Sequence, residues 1–314
     1  MRIVNLIENT EGRAGCEYVH GLSFYIETDK HKILMDLGPS DATLENAKRL
    51  GIDLTKVDTV VLSHGHYDHT GGVTGFARLN PDAKIYVQSM ADGEFYAYDG
   101  EDKYRYIGMD KEVASLSQVV FLDGDSVIDD ELKLFTVEKR THELPSANKR
   151  LKVKTGGEYE QDSFAHEHFL VITYRGRNIL LSGCAHNGIL NILEEYRRRY
   201  KDDPDVVISG FHLMKKDSYT DDELLEIIDI AKQLKKYHTQ FYTCHCTGKE
   251  AYEVMRNIMG DKLEYVHSGE EIRLRYRRFL TAKRRSDFMK YHKFFAWATV
   301  VCFIMTMITG YQRK

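Results

Sequence analysis

The chain has 314 residues, 42% hydrophobic and 29% charged, a globular composition that excludes a wholly disordered protein. A net charge of -4 offers no global basic field for nucleic acid, so no nucleic-acid partner is expected. Five cysteines (Cys16, Cys184, Cys244, Cys246 and Cys302) are odd in number and lack CxxC spacing, which argues against a disulfide scaffold or a zinc knuckle. The N-terminal stretch carries Glu8 and Glu11 and no apolar run of the signal-peptide kind.

Apolar runs of strand length fall at 4–7, 22–27, 32–36, 59–63, 84–88, 118–122, 132–137, 169–174, 178–182, 205–209, 239–244 and 263–267. Short polar turns such as Thr28-Asp29-Lys30 join the first strands as in a meander, and Arg175-Gly176-Arg177 pairs two later ones. Helical spacing predicts helices over 42–50, 188–200, 221–237 and 249–258. The third is the best marked: Thr220 precedes Glu223 at capping-box spacing, and Leu224, Ile227, Ile228, Ala231 and Leu234 recur on one face. Two stretches lack a regular pattern and read as long loops, 91–111 with Tyr96, Tyr98, Tyr104 and Tyr106, and 138–165 with Arg140 and His142.

The last forty residues differ from the rest. From Arg273 to Lys293 there are nine Lys or Arg and one acid, and 276–293 reads as a basic juxtamembrane segment. Residues 294–311 then carry no charge; as a helix they would be about 27 Å long, close to the ~30 Å hydrocarbon core. The expectation is a transmembrane helix that tail-anchors a cytoplasmic domain, with Trp297 and Tyr311 at the interfaces. The other reading is a buried or dimerising helix, since Thr299, Thr306 and Thr309 dilute the apolarity.

The sharpest chemical signal is Ser63-His64-Gly65-His66-Tyr67-Asp68-His69-Thr70-Gly71-Gly72, directly after the apolar Val60-Val61-Leu62. His64 and His66 alternate in an extended turn and can face one ion; Asp68 and His69 come as the chain turns toward a helix and can face a second. Imidazole suits borderline cations such as zinc, and carboxylate adds a hard ligand.

HxHxDH after an apolar strand resembles the metallo-β-lactamase superfamily. The span from Met1 to about Arg275 is similar to one subgroup, the 7,8-dihydropterin-6-ylmethyl-4-(β-D-ribofuranosyl)aminobenzene 5'-phosphate synthase-like metal-dependent hydrolases. The blocks that carry this are His20-Gly21-Leu22-Ser23, Ser63 to Gly72, Gly183-Cys184-Ala185-His186-Asn187-Gly188-Ile189, Gly210-Phe211-His212-Leu213 and His245-Cys246-Thr247-Gly248. The resemblance implies an α+β fold, an αββα sandwich with a dinuclear metal site at one edge, here followed by the C-terminal hydrophobic helix.

The downstream blocks also read physically. His186 follows the strand 178–182 before a helix, and His245 ends the strand 239–244, so both are placed as metal ligands beside His64, His66, Asp68 and His69. Cys184 stands where many superfamily members have a bridging Asp, and reads either as a ligand or as a buried thiol. His166 lies about where many members have a metal-binding His, and His168 is expected to point the other way. His212 is a candidate proton donor to the leaving group, or a buried hydrogen-bonded histidine. Asp68 is the candidate to orient or deprotonate the nucleophile.

The reading is a hydrolase using two divalent cations, zinc before manganese or iron, on a small phosphate-bearing or ester substrate that the resemblance suggests is pterin-like. The tyrosines of 96–106 would stack on such a ring, and Arg105 or Arg140 would hold its phosphate. Two alternatives are an iron-dependent oxidoreductase on the same fold and a non-catalytic membrane-tethered binding protein.

Overall fold

The structure, a computed structural model, describes residues 1–274. The expected basic segment 276–293 and membrane-spanning segment 294–311 lie outside the described residues. Among the described residues no helix is long and apolar enough to cross a membrane.

Strands β1 (Arg2–Ile7), β2 (Ser23–Glu27) and β3 (Lys32–Met35) form the expected antiparallel meander. Their alternate residues are buried on both faces. Val4, Leu6, Tyr25 and Leu34 meet helices, while Ile3, Phe24, Ile26 and Ile33 are buried on the other side. A run with no polar face must be covered twice, and this is the physical origin of a layered sandwich.

The chain continues through α1 (Ala42–Arg49), β4 (Thr59–Val61), α2 (Tyr67–Thr70), α3 (Val73–Leu79), β5 (Lys84–Gln88), β6 (Phe95–Tyr98), β7 (Tyr104–Tyr106), α4 (Lys111–Ala114), β8 (Val119–Leu122), β9 (Ser126–Val127) and β10 (Leu132–Phe135). The second half runs β11 (Leu151–Thr155), β12 (Glu158–Gln161), β13 (Phe169–Tyr174), β14 (Arg177–Leu181), α5 (Ile189–Tyr200), β15 (Val206–Ile208), α6 (Asp221–Leu234), β16 (Gln240–Thr243), α7 (Lys249–Met259), β17 (Leu263–Tyr265) and β18 (Glu271–Ile272).

Two seven-stranded mixed sheets result, β18-β1-β2-β3-β4-β5-β8 and β17-β16-β15-β14-β13-β10-β9. Each is antiparallel at one end and parallel at the other, with β3, β4, β5 and β8 parallel in the first and β14 to β17 parallel in the second. Helices α5, α6 and α7 cover the second sheet through Ile192, Tyr196, Ile227, Ala231 and Met255, whereas Ala47, Val73 and Phe76 cover the first. The architecture is the αββα sandwich.

The two stretches expected to be loops carry a third sheet, β12-β11-β6-β7. Strand β6, from the first stretch, pairs with β11 from the second, Tyr96 opposite Lys152. Phe95, Ala97, Ile107, Leu151 and Phe164 form its small core. The opposite face carries Tyr96, Tyr104, Tyr106 and Tyr159, with Tyr104 and Tyr159 stacked at 3.7 Å between ring centroids. Polar and tyrosine residues on one face of short strands erased the apolar alternation on which the sequence reading relied.

The sheets are tied at the end remote from the parallel strands' C-termini. His31, after the β2–β3 turn, places Nδ1 2.8 Å from Asp58 Oδ1 and Nε2 2.7 Å from Asp129 Oδ2. Asp29 of the same turn receives Tyr174 Oη and Arg175 Nη2 from the β13–β14 hairpin.

Candidate metal centre

The histidines and acids of the site leave the C-terminal ends of strands. Asp36 follows β3, His64 and His66 follow β4, Cys184 and His186 follow β14, His212 follows β15 and His245 follows β16. Strand ends in parallel sheets leave a crevice where successive chains turn away, the usual place for a ligand. The turns there are strained: Asp36, Ala185, His212 and His245 have φ of 61°, 55°, 51° and 50°. Such left-handed positions cost of order 1–3 kcal/mol each and persist where surrounding contacts hold them. Gly183 belongs to the same packing, since a Cβ there would stand 2.2 Å from Ser63 Oγ and 3.1 Å from Asp36 Oδ2.

The six residues expected to hold metal all converge. His64, His66 and His186 bring their ring nitrogens within 4.8 Å of one another. Asp68 Oδ2 lies 3.3 Å from His245 Nε2 and 3.7 Å from His69 Nε2. Cys184 Sγ lies between the two groups, 3.2 Å from His69 Nε2. His66 and Asp68 are 4% and 7% exposed, and His64, His69, His186 and His245 are buried completely or nearly so.

Their outer partners assign the ring protons. Asn148 donates to the His186 carbonyl and places Oδ1 3.0 Å from His186 Nδ1. Asn9 makes the same pair of contacts with His245, its Oδ1 2.8 Å from Nδ1. Ser63 Oγ donates to Asp36 Oδ2, so it must accept from His64 Nδ1 at 2.8 Å. In all three histidines the proton is therefore on Nδ1 and the Nε2 lone pair faces inward.

Burial pushes His64 and His186 well below the ordinary imidazole range, and His66 and His245 down to about 3, so these rings are neutral. Two inward lone pairs, His64 Nε2 and His186 Nε2, then stand 3.3 Å apart, and His66 Nε2 and His245 Nε2 make no hydrogen bond. Buried acceptors aimed at one another repel unless a cation lies among them. The donor set fits divalent metal.

His69 differs. Burial opposes its charge, but the carboxylates of Asp36 and Asp68 outweigh that and lift it to about 9. Asp36 Oδ2 takes its Nδ1 proton at 2.6 Å.

Asp36 accepts from Ser63 N, Ser63 Oγ and His69 Nδ1, and was not singled out from sequence. Nor was Glu8, buried and accepting from the His245 backbone at 3.0 Å, nor Glu167, whose carboxylate accepts from His186 N and Asn187 N. Asp36 and Glu8 each close a buried strand with an acid; that is the signal that could have found them.

His166 is adjacent but occupied: Nδ1 accepts from Gly65 N at 3.1 Å and Nε2 faces Asp162 at 3.1 Å. His168 does point elsewhere, donating to the Leu62 carbonyl at 2.8 Å. Arg140 is tied to Asn187 Oδ1 at 2.9 Å and does not line the cavity over the cluster.

That cavity, about 340 Å³, is walled by Tyr67, Ala97, Ile107, Leu151 and Met214 and opens past His66, Asp68, His186, His212 and His245. Arg105, Arg150, Lys215 and Lys216 form a cationic rim. Arg105 reaches it because β7 turns that side chain, and not its tyrosine neighbours, toward the metal cluster. Tyr96, Tyr104 and Tyr106 do not line the cavity, contrary to expectation; Tyr98 lines a neighbouring one. His212 Nδ1 is buried without a partner, and its ring lies 4.2 Å from that of His186.

A family model for the metallo-beta-lactamase superfamily matches residues 18–143. A solved structure described as a metal-dependent hydrolase of the beta-lactamase superfamily superposes with a TM-score of 0.73 at 29% identity, over 87% of this chain and 99% of the other. Residues 18–143 thus carry the metallo-beta-lactamase superfamily match, and the chain shares the fold of a solved hydrolase of that superfamily. Two curated proteins from Methanocaldococcus jannaschii are also similar. One, an uncharacterised protein, is 28% identical over 81% of this chain and 93% of its own length. The other, 7,8-dihydropterin-6-methyl-4-(beta-D-ribofuranosyl)-aminobenzene-5'-phosphate synthase, is 28% identical over 81% of this chain and 90% of its own length. The chain has a metallo-beta-lactamase-like fold with buried His and Cys clusters suited to divalent metal.

Proposed function

We propose that the protein is a metal-dependent hydrolase acting with two divalent cations, zinc first among them, on a small anionic substrate. His64, His66 and His186 hold the first cation, and Asp68, His69 and His245 hold the second, with the Cys184 sulfur beside it. The observation that carries this reading is the pair of proton-free imidazole nitrogens facing each other at 3.3 Å inside a buried cluster. Cations bound there supply Lewis acidity and bring the pKa of water toward neutrality.

The chain's own groups do the rest. Asp68 is ionised, because His69, His20 and His245 around it outweigh the burial that would neutralise it. It orients the attacking water by accepting its hydrogen bond. Burial and the neighbouring His66 and His245 push His212 down to about 3, so it meets substrate as a neutral ring. In that state it steadies the leaving oxygen with an N–H hydrogen bond and has no imidazolium proton to give.

The rim of Arg105, Arg150, Lys215 and Lys216 favours a substrate bearing phosphate, and similarity to the synthase favours a pterin-like one. Arg140, tied to Asn187, plays no part in holding it, and Tyr67 replaces the tyrosines of 96–106 as the ring available for stacking.

Elemental mass spectrometry of the purified chain is the test. About two cations per chain, falling in His66→Ala, is the expected result. A folded chain that neither contains nor takes up divalent metal overturns the reading. With a phosphorylated substrate in hand, Arg150→Gln should raise KM and leave kcat nearly unchanged, because the rim binds ground and transition states alike.

A further inference from the structure

His20 has appeared so far only as a neighbour of Asp68, yet it stands against the second cation position. Its Nε2 lies 3.2 Å from Asp68 Oδ2, and its ring is 4.9 Å from that of His245 at an interplanar angle of 34°. Ligand atoms of His20, Asp68 and His245 all fall within 4.8 Å of one another. The His20 side chain is 46% exposed, whereas those of Asp68 and His245 are 10% and 0%.

An exposed side chain is seldom held by packing, so its position must come from the backbone, and here the backbone is pinned on both sides. Val19 N donates to the Glu8 carbonyl at 3.0 Å, and Leu22 N donates to the Asp68 carbonyl at 3.1 Å. Between them Gly21 N reaches Asn9 Oδ1 at 3.3 Å, the same oxygen that lies against His245 Nδ1. Asn9 thus registers His20 and His245 together. Gly21 has φ +156°, and a Cβ there would stand 2.7 Å from the Asp68 carbonyl oxygen and 2.5 Å from Pro39 Cδ. Only glycine lets the His20 segment lie this close to the turn that carries Asp68.

We propose that His20 is a further ligand of the second cation, bound from the solvent side next to Asp68 and His245. The proposal rests on the two-cation reading above and adds to it an exchangeable donor at the mouth. The His20 imidazole completes a mixed nitrogen and oxygen set suited to borderline divalent metal. Because His20 is the most exposed of these three side chains, it is the donor that exchanges first when the second cation enters or leaves.

The test is a cobalt(II) titration of the full chain after chelator treatment, followed by visible absorption and calorimetry. Wild type should show two binding events. His20→Ala should leave the first unchanged and weaken the second by at least about tenfold. His20→Gln, which can still hydrogen-bond Asp68 but ligates poorly, should weaken it similarly, and added imidazole should restore the second event in His20→Ala. A second event of wild-type strength in His20→Ala overturns the proposal, and so does full recovery in His20→Gln, which would make His20 a positioning residue for Asp68. Both of those results leave the two-cation hydrolase standing. No cobalt uptake by wild type at either position removes that reading together with this one.

Discussion

Asp36 shows how one buried carboxylate can serve both of the proposed metal positions. It holds His69 directly and His64 through Ser63, and its own backbone sits at φ 61° to do so. Removing its charge should therefore loosen both positions, whereas removing Asn148 should loosen only the one that includes His186. Calorimetric titration is expected to show both affinities lowered roughly 10–100-fold in Asp36→Asn, and a single affinity lowered in Asn148→Ala. Equal, selective loss in the two variants would contradict this division of labour. His166 differs from these rings in that both of its nitrogens already meet protein partners, Gly65 N and Asp162.

Elements differ in how far local chemistry determines them. Helix α6 starts at a complete capping box, in which Glu223 N donates to Thr220 Oγ1 and Thr220 N donates to Glu223 Oε2 at 2.8 Å. Lys215 reaches the same carboxylate at 2.7 Å, which links the cap to the cavity rim. Thr220→Ala should cost about 1 kcal/mol, seen as a lower melting temperature with metal content unchanged. The third sheet is the opposite case. No local signal makes β6 a strand; it forms because β11, more than fifty residues away, offers an edge and because Phe95, Ala97 and Leu151 share a core. Its placement matters for function, since it turns Arg105 and Ile107 toward the metal cluster and the tyrosines away from it.

Across the described residues as a whole, the two sheets meet at one end in the candidate metal centre and at the other through His31. Burial, the largest influence on His31, pulls its pKa down, but the facing carboxylates of Asp58 and Asp129 outweigh it and raise the pKa above the ordinary value. A raised folded-state pKa means that the charged clamp contributes fully below about pH 6.5 and is lost as pH climbs through that raised value. Denaturant unfolding of His31→Ala against wild type should show a clear stability gap at pH 5.5 that narrows by pH 9. A gap independent of pH would mean that His31 acts through packing alone.

The linear chain by itself determined the sandwich and named most of the side chains that gather at the candidate metal centre. Strand and helix periods at 22–27, 169–174 and 221–237 report which faces must be buried. The density of His64, His66, Asp68 and His69 after an apolar strand reports metal-binding chemistry, because ligands supplied by one turn are neighbours whatever the rest of the fold does. Tertiary structure decided what depends on distance in the chain. It brought His186 to His64 and Asn9 to His245, made acceptors of Asp36, Glu8 and Glu167, and took Arg140 and the tyrosines out of the cavity. Several of the contacts that orient these rings come from partners far away in the chain, as Asn9 is from His245, and no local pattern records them.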